Sequence, residues 1–153
     1  MSKVKNADNI IRYTKIATII FIALVVVADV CGFIITPYIV RVWAERYDDF
    51  ALIFLSAVYY VGTAGAYVAL FSLYKLLNNM SKDIVFDKSN TKLMKIIAIC
   101  CVLMGIDCVI GTIAWFGTIY LGTILFFMVL IVLCLRAVFE KAIEMKDELD
   151  LTI

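Results

Sequence analysis

The chain has 153 residues, 65% of them hydrophobic and 18% charged, with a formal net charge of +1 and a mean hydropathy of +1.03. A soluble domain is about half apolar and a quarter charged, and so short a chain cannot bury such an excess in one core, which excludes a water-soluble globule. The absence of histidine excludes His-based catalysis and His-ligated metals, and the single proline excludes a Pro-rich linker.

The charges mark out the elements. Ile16 to Val40 is a run of 25 residues whose one charge is Asp29. Its apolar part is longer than that of a signal peptide and no small-residue cleavage site follows, so it reads as a retained span with Pro37 and Tyr38 at its outer end. Phe50 to Tyr74 is a second run of 25 residues with no charge. Ile96 to Leu135 is 40 residues long with Asp107 as its one charge. About 20 helical residues cross the hydrocarbon core, so this third run holds two spans. Gly111, Thr112, Gly117, Thr118 and Gly122 lie in its middle beside Trp115, Phe116 and Tyr120, which places a turn near Gly111 to Gly117. The predicted spans are about 16–40, 50–74, 94–112 and 118–136, with a loop at 75–93 and a tail at 137–153. Backbone groups in lipid must be satisfied within the segment, so the predicted fold is all-α, an integral membrane four-helix transmembrane bundle.

Twelve of the fourteen basic residues fall on one side: Lys3, Lys5, Arg12 and Lys15; Lys75, Lys82, Lys88, Lys92 and Lys95; Arg136, Lys141 and Lys146. The other side carries Arg41 and Arg46. Positive charge marks the cytoplasmic face, so both termini and the central loop are expected inside, as an even number of spans requires. This implies a multi-pass membrane protein. The outer face is expected to be small, with Glu45, Asp48 and Asp49 in one loop and no charge in the other.

On the inner face, Leu73, Leu77, Met80 and Ile84 recur at helical spacing, so the second helix is expected to continue past the membrane through Ile84. Asp87 before Lys88-Ser89-Asn90 reads as the N-cap of the third helix. Val138, Ala142 and Met145 carry a helical period beyond the fourth span, and Leu149, Leu151 and Ile153 then alternate as in a strand. That ending reads as a frayed end on the lipid surface or as a docking element.

Asp29 and Asp107 are the sharpest candidate site. Each lies eight residues before an outer-end marker, Pro37 or Trp115, so the two carboxyls are placed at similar depth in the outer half of the bilayer. They can form one site for a proton, a cation or an amine, as ionisable groups at membrane depth often do. The other reading is that each is neutral or bonded across helices to a hydroxyl such as Thr36, Tyr59, Tyr60, Thr63 or Thr112. The cysteines Cys31, Cys100, Cys101, Cys108 and Cys134 form no C-x-x-C pair and read as small buried hydrophobes, with a Cys31–Cys108 bridge as the alternative. Gly62 with Ala66, and Gly65 with Ala69, have the spacing that lets helices approach closely, within the chain or in a homo-oligomer. The central lysines follow from topology and call for no nucleic acid. No phosphate loop, dinucleotide fingerprint, nucleophile elbow or metal cluster is present, so no cofactor, metal or enzymatic activity is expected.

Leu73 to Asp87, with its leucine-rich helix end and Ile84-Val85-Phe86-Asp87 signal, and the tail Glu144 to Ile153, ending Asp150-Leu151-Thr152-Ile153, resemble the bacterial four-span group catalogued as domain of unknown function 2975. The resemblance covers nearly the whole chain and departs at Asp83, where the family often carries Gly. Members are frequently encoded beside a small helix-turn-helix DNA-binding regulator. The resemblance thus implies a regulatory or sensory protein of the bacterial cytoplasmic membrane that holds such a regulator. The residues expected to bind it are Phe86, Asp87, Glu148, Leu149, Asp150, Leu151, Thr152 and Ile153. The alternative is a small oligomeric transporter, pore or immunity protein that uses Asp29 and Asp107.

Overall fold

Each lipid-length apolar run folds as a helix because it must satisfy its backbone without water. The computed structural model describes residues 2–82 and 84–150. Its helices are α1 (Ser2–Tyr38), α2 (Asp49–Met80), α3 (Lys88–Gly111) and α4 (Thr118–Asp150), with a π-helical turn (Ile39–Trp43) after α1. All four are long and apolar enough to cross a membrane, and no strand occurs among the described residues. The protein is an all-α membrane four-helix bundle.

α1 packs on α2, α2 on α3 and α3 on α4, but α1 packs on neither α3 nor α4 among the described residues. The bundle is therefore open on one side. α2 holds its neighbours with two different faces. Towards α1 it turns a polar stripe: Ser56 bonds Thr36 (3.1 Å), Tyr59 donates to Ala28 O (2.7 Å), Thr63 bonds Asp29 (2.8 Å), and Asn78 accepts from Lys15 Nζ (2.7 Å). The Lys15 ammonium also lies 5.2 Å from the Tyr74 ring centre. Towards α3 it turns Gly62 and Gly65, and a Cβ at Gly65 would stand 2.7 Å from Met104 Cγ. Without a Cβ the two helices approach closely, and dispersion replaces the hydrophobic drive that lipid does not supply.

One end of the bundle is closed by tryptophans. Trp43 and Trp115 meet edge to face with centroids 6.1 Å apart, over a core of Val40, Ala51, Leu55 and Ala114. Arg46 donates to Ile113 O at 2.8 Å, which ties the first connection to the α3–α4 turn. It also forks onto both Asp48 oxygens at 2.9 Å, and Asp48 caps α2 by accepting from Ala51 N. The Arg46 side chain holds the Asp48 carboxyl below its ordinary range.

The lysine-rich end is knitted from α2, α3 and α4. Leu76, Leu93 and Met94 are buried there, with Phe139 and Val132 of α4 against them. Asn90 is fully buried: its Nδ2 donates to Ile84 O (2.7 Å) and Val85 O (2.8 Å), and its Oδ1 accepts from Asn79 Nδ2 (2.8 Å). One side chain thereby satisfies the backbone of the turn it folds against.

α1 ends at Tyr38, at the marker read from the sequence, and a π-helical turn carries the chain on to Trp43. Proline has no N–H to give the preceding turn, and a wider π turn follows it directly. α2 ends at Met80 rather than continuing through Ile84, whose N–H folds back to Asn79 O at 3.1 Å. α4 continues as a helix through Asp150, so Leu149 is helical, and the other two residues of the alternating ending are not among those described. Leu151, Thr152, Ile153 and Asp83 lie outside the described residues.

Candidate functional site

The two intramembrane carboxylates sit on different sides of α2. Asp29 faces the polar stripe: Thr63 Oγ1 donates to Oδ1 at 2.8 Å and Tyr67 Oη approaches Oδ2 at 3.4 Å. Asp107 faces Gly62, where a Cβ would stand 3.4 Å from its Oδ2. That Oδ2 is buried and has no hydrogen-bond partner. The hydroxyl-bonded reading thus describes Asp29, with Thr63 as its main partner. Thr112 donates to Val109 O of its own helix.

Asp107 lies beside a cavity of about 680 Å³, where the bundle is open between α1 and α4. Val25, Ala28 and Thr36 of α1, Ala66 of α2, Met104 of α3 and Leu121 of α4 are among its walls. Trp115 lines it at the tryptophan end. Its other hydroxyls are engaged. Thr36 donates to Gly32 O, Tyr59 to Ala28 O, Thr63 to Asp29 and Thr118 to Trp115 O. Among the described residues, Asp107 is the one carboxylate on the cavity, and neither Lys nor Arg lines it. Asp29 is not on its wall.

At the lysine-rich end, the residues singled out in the central loop have structural partners. The Phe86 ring stands 6.4 Å from that of Phe139, and Phe86 is half exposed. Asp87 caps α3, accepting from Ser89 N at 2.7 Å, and hydrogen bonds from the Ser89 side chain and backbone hold its carboxyl below the ordinary value. Lys88 of α3 reaches Asp147 of α4 at 3.6 Å, next to Glu148 and Leu149 in the last turn. Of the small residues in α2, Gly62 and Gly65 face α3, and Ala66 lines the cavity. All five cysteines are free thiols, so Cys31 and Cys108 are not bridged. The described residues contain no group of three His, Cys, Asp or Glu able to hold a metal.

The profile of the family described as "Protein of unknown function (DUF2975)" matches residues 1–153, the whole chain. The chain belongs to the DUF2975 family. It is 28% identical over 156 aligned residues to the uncharacterized membrane protein YoaS of Bacillus subtilis (strain 168), a match that covers 92% of this chain and 96% of the relative. No solved structure matches it. Four membrane-length helices in a chain that aligns end to end with a membrane protein make this DUF2975 chain a membrane protein as well.

Reading the residues alone missed the cavity and the part of Asn90. The stripe Ser56, Tyr59, Thr63, Tyr67, at spacings of three and four, marks the face of α2 that takes Asp29, but of it the sequence reading named only Tyr59 and Thr63. Nothing comparable marked the cavity, because its walls and the lipid-facing surfaces have the same apolar composition.

Proposed function

We propose that the chain is a non-enzymatic regulatory membrane protein of the bacterial plasma membrane. In this reading the lysine-rich end faces the cytoplasm and binds a soluble helix-turn-helix transcription regulator. The supporting observation is the joining of three helix ends into one platform, on helices longer than the bilayer core is thick. α4 is 33 residues long, about 50 Å at 1.5 Å per residue against a hydrocarbon core of about 30 Å. α2, with 32 residues, is similarly long. Their projecting ends meet the start of α3 around Leu76, Leu93, Met94 and Phe139, and present Phe86 and the acidic last turn of α4. The positive-inside bias supports the orientation, and the family resemblance supports the regulator as partner. Asp87 serves the platform by capping α3. Phe86 and Glu148 to Ile153 are the proposed contact residues.

Cell fractionation tests this reading. The regulator encoded beside the chain should sediment with membranes when the full chain is present. It should return to the soluble fraction when Leu149 to Ile153 are deleted. A regulator that stays soluble with the full chain present overturns the proposal.

Transport is the second reading, favoured by the unpartnered Asp107 Oδ2 beside a membrane-depth cavity. It predicts proteoliposome flux that is abolished by Asp107→Asn, and it fails if no carboxyl-dependent flux is found.

A further inference from the structure

We infer that the cavity between α1 and α4 is a binding site for a hydrophobic amine carrying one positive charge, with Asp107 as its anchor. The inference does not depend on the regulator, because it concerns binding by the purified chain. Three observations carry it.

The first is the imbalance of polar groups. The hydroxyls on the wall are already donated to protein acceptors: Thr36 to Gly32 O, Tyr59 to Ala28 O, Thr63 to Asp29 and Thr118 to Trp115 O. Asp107 Oδ2 remains buried and unpartnered. A carboxyl whose Oδ2 is buried without a donor carries an uncompensated cost, which an ammonium reaching that carboxyl from the cavity offsets. An alcohol supplies a donor but no charge, whereas an ammonium group supplies both.

The second is charge. Among the described residues, Asp107 is the one carboxylate on the wall and no Lys or Arg opposes it. It lies one turn before the C-terminal end of α3 at Gly111. The partial negative charge of a helix C-terminus favours a cation there. Trp115 and Tyr59 line the same cavity, and aromatic faces attract cations. Asp29, already bonded to Thr63 and Tyr67, is off the wall and does not compete.

The third is size and polarity. A volume of about 680 Å³ lies within the usual range for a small-molecule site of roughly 300–1,000 Å³. Val25, Ala28, Ala66, Met104, Leu121 and Ile124 give it apolar walls. The gap between α1 and α4 lets a lipid-dissolved molecule enter from the side. One anionic anchor on otherwise apolar walls suits one ammonium on an apolar body.

The test uses the full chain in lipid nanodiscs with Trp43→Phe, which leaves Trp115 as the sole tryptophan. Trp115 emission is followed while 4-phenylbutylamine is added, with 4-phenylbutan-1-ol as the neutral control. The expected result is saturable binding of the amine, at least tenfold tighter than the alcohol. Asp107→Asn should weaken the amine at least tenfold, and Asp29→Asn should leave it within twofold. Ala66→Leu narrows the cavity without touching the charge and should also weaken the amine at least tenfold, so a failure of Asp107→Asn to fold leaves the test intact. Equal binding of amine and alcohol would mark a plain lipid groove and overturn the inference. So would unchanged amine affinity in Asp107→Asn or in Ala66→Leu, or a signal that rises with lipid concentration and never saturates.

Discussion

Thr63 Oγ1 donates to Asp29 Oδ1 at 2.8 Å, while the preceding residue of α2, Gly62, faces Asp107. Neighbouring residues on a helix point about 100° apart, so α2 separates two carboxylates that sequence position places at one depth. Asp29 becomes part of the seam with α1, and Asp107 becomes the polar atom of the cavity.

The Asp29–Thr63 bond is expected to hold α1 to α2. Interhelical side-chain bonds of this kind are worth about 0.6–1.7 kcal/mol in membrane proteins. Thr63→Val should lower stability by that amount, measured by reversible unfolding in mixed micelles. Asp29→Asn combined with Thr63→Val should cost less than the two single changes added together. Strict additivity would show that the two side chains do not interact.

Asn90 is expected to be the most sensitive polar residue of the lysine-rich end. Asn90→Ala removes the donor to Ile84 O and Val85 O and the acceptor of Asn79 Nδ2. Buried groups left unpaired cost about 1–3 kcal/mol each, with partial relief from water at a helix end, so a loss of about 2–4 kcal/mol is expected. Hydrogen exchange should speed up across residues 84–87 while the middle of α2 stays protected. Unchanged protection there would contradict the role given to Asn90.

Gly65 is expected to set the spacing of α2 and α3. A Cβ there meets Met104 Cγ at 2.7 Å, so Gly65→Ala must displace Met104 at a cost of about 1–2 kcal/mol. Shortening Met104 removes the obstacle. The Gly65→Ala, Met104→Ala double variant should therefore be more stable than the sum of the single changes predicts. If thermal denaturation shows the two costs simply adding, Gly65 is not in contact with Met104 in the way described.

The cap of α3 carries a pH dependence. Hydrogen bonds from Ser89 hold the Asp87 carboxyl below its ordinary value. A lowered native pKa means that the cap's contribution is complete above the unfolded value and is lost as pH falls through the native one. Amide exchange at Ser89 and Asn90, corrected for its intrinsic pH dependence, should stay constant from neutral pH down to about pH 4 and rise below that. In Asp87→Ala exchange should be fast throughout, and a wild-type rise near neutral pH would assign the effect to another group.

The number of helices was legible because charge-free runs of lipid length have few other solutions, as Phe50 to Tyr74 shows. Asp87 was legible as a cap because a short acceptor before Lys88-Ser89-Asn90 suits that position. The open side of the bundle was not legible. A soluble helix shows its core face by contrast with polar residues, but the faces of α4 that meet α3 and lipid are equally apolar. α2 shows the exception: its polar stripe points away from lipid and its glycines mark the α3 side. Ile84 misled because the helical period outlasted the helix, whose end is decided by Ile84 N–H folding back to Asn79 O and by Asn90.

The proposed function puts the lysine-rich end in the cytoplasm with the regulator docked on it. Phe86 at that end and Phe116 at the tryptophan end are both exposed, at 50% and 70%. A photo-crosslinking amino acid placed at either position in living cells, with the regulator tagged, tests orientation and partnership together. A covalent adduct with the regulator is expected from position 86 and none from position 116; an adduct from 116, or none from 86, would contradict the proposed orientation and partnership.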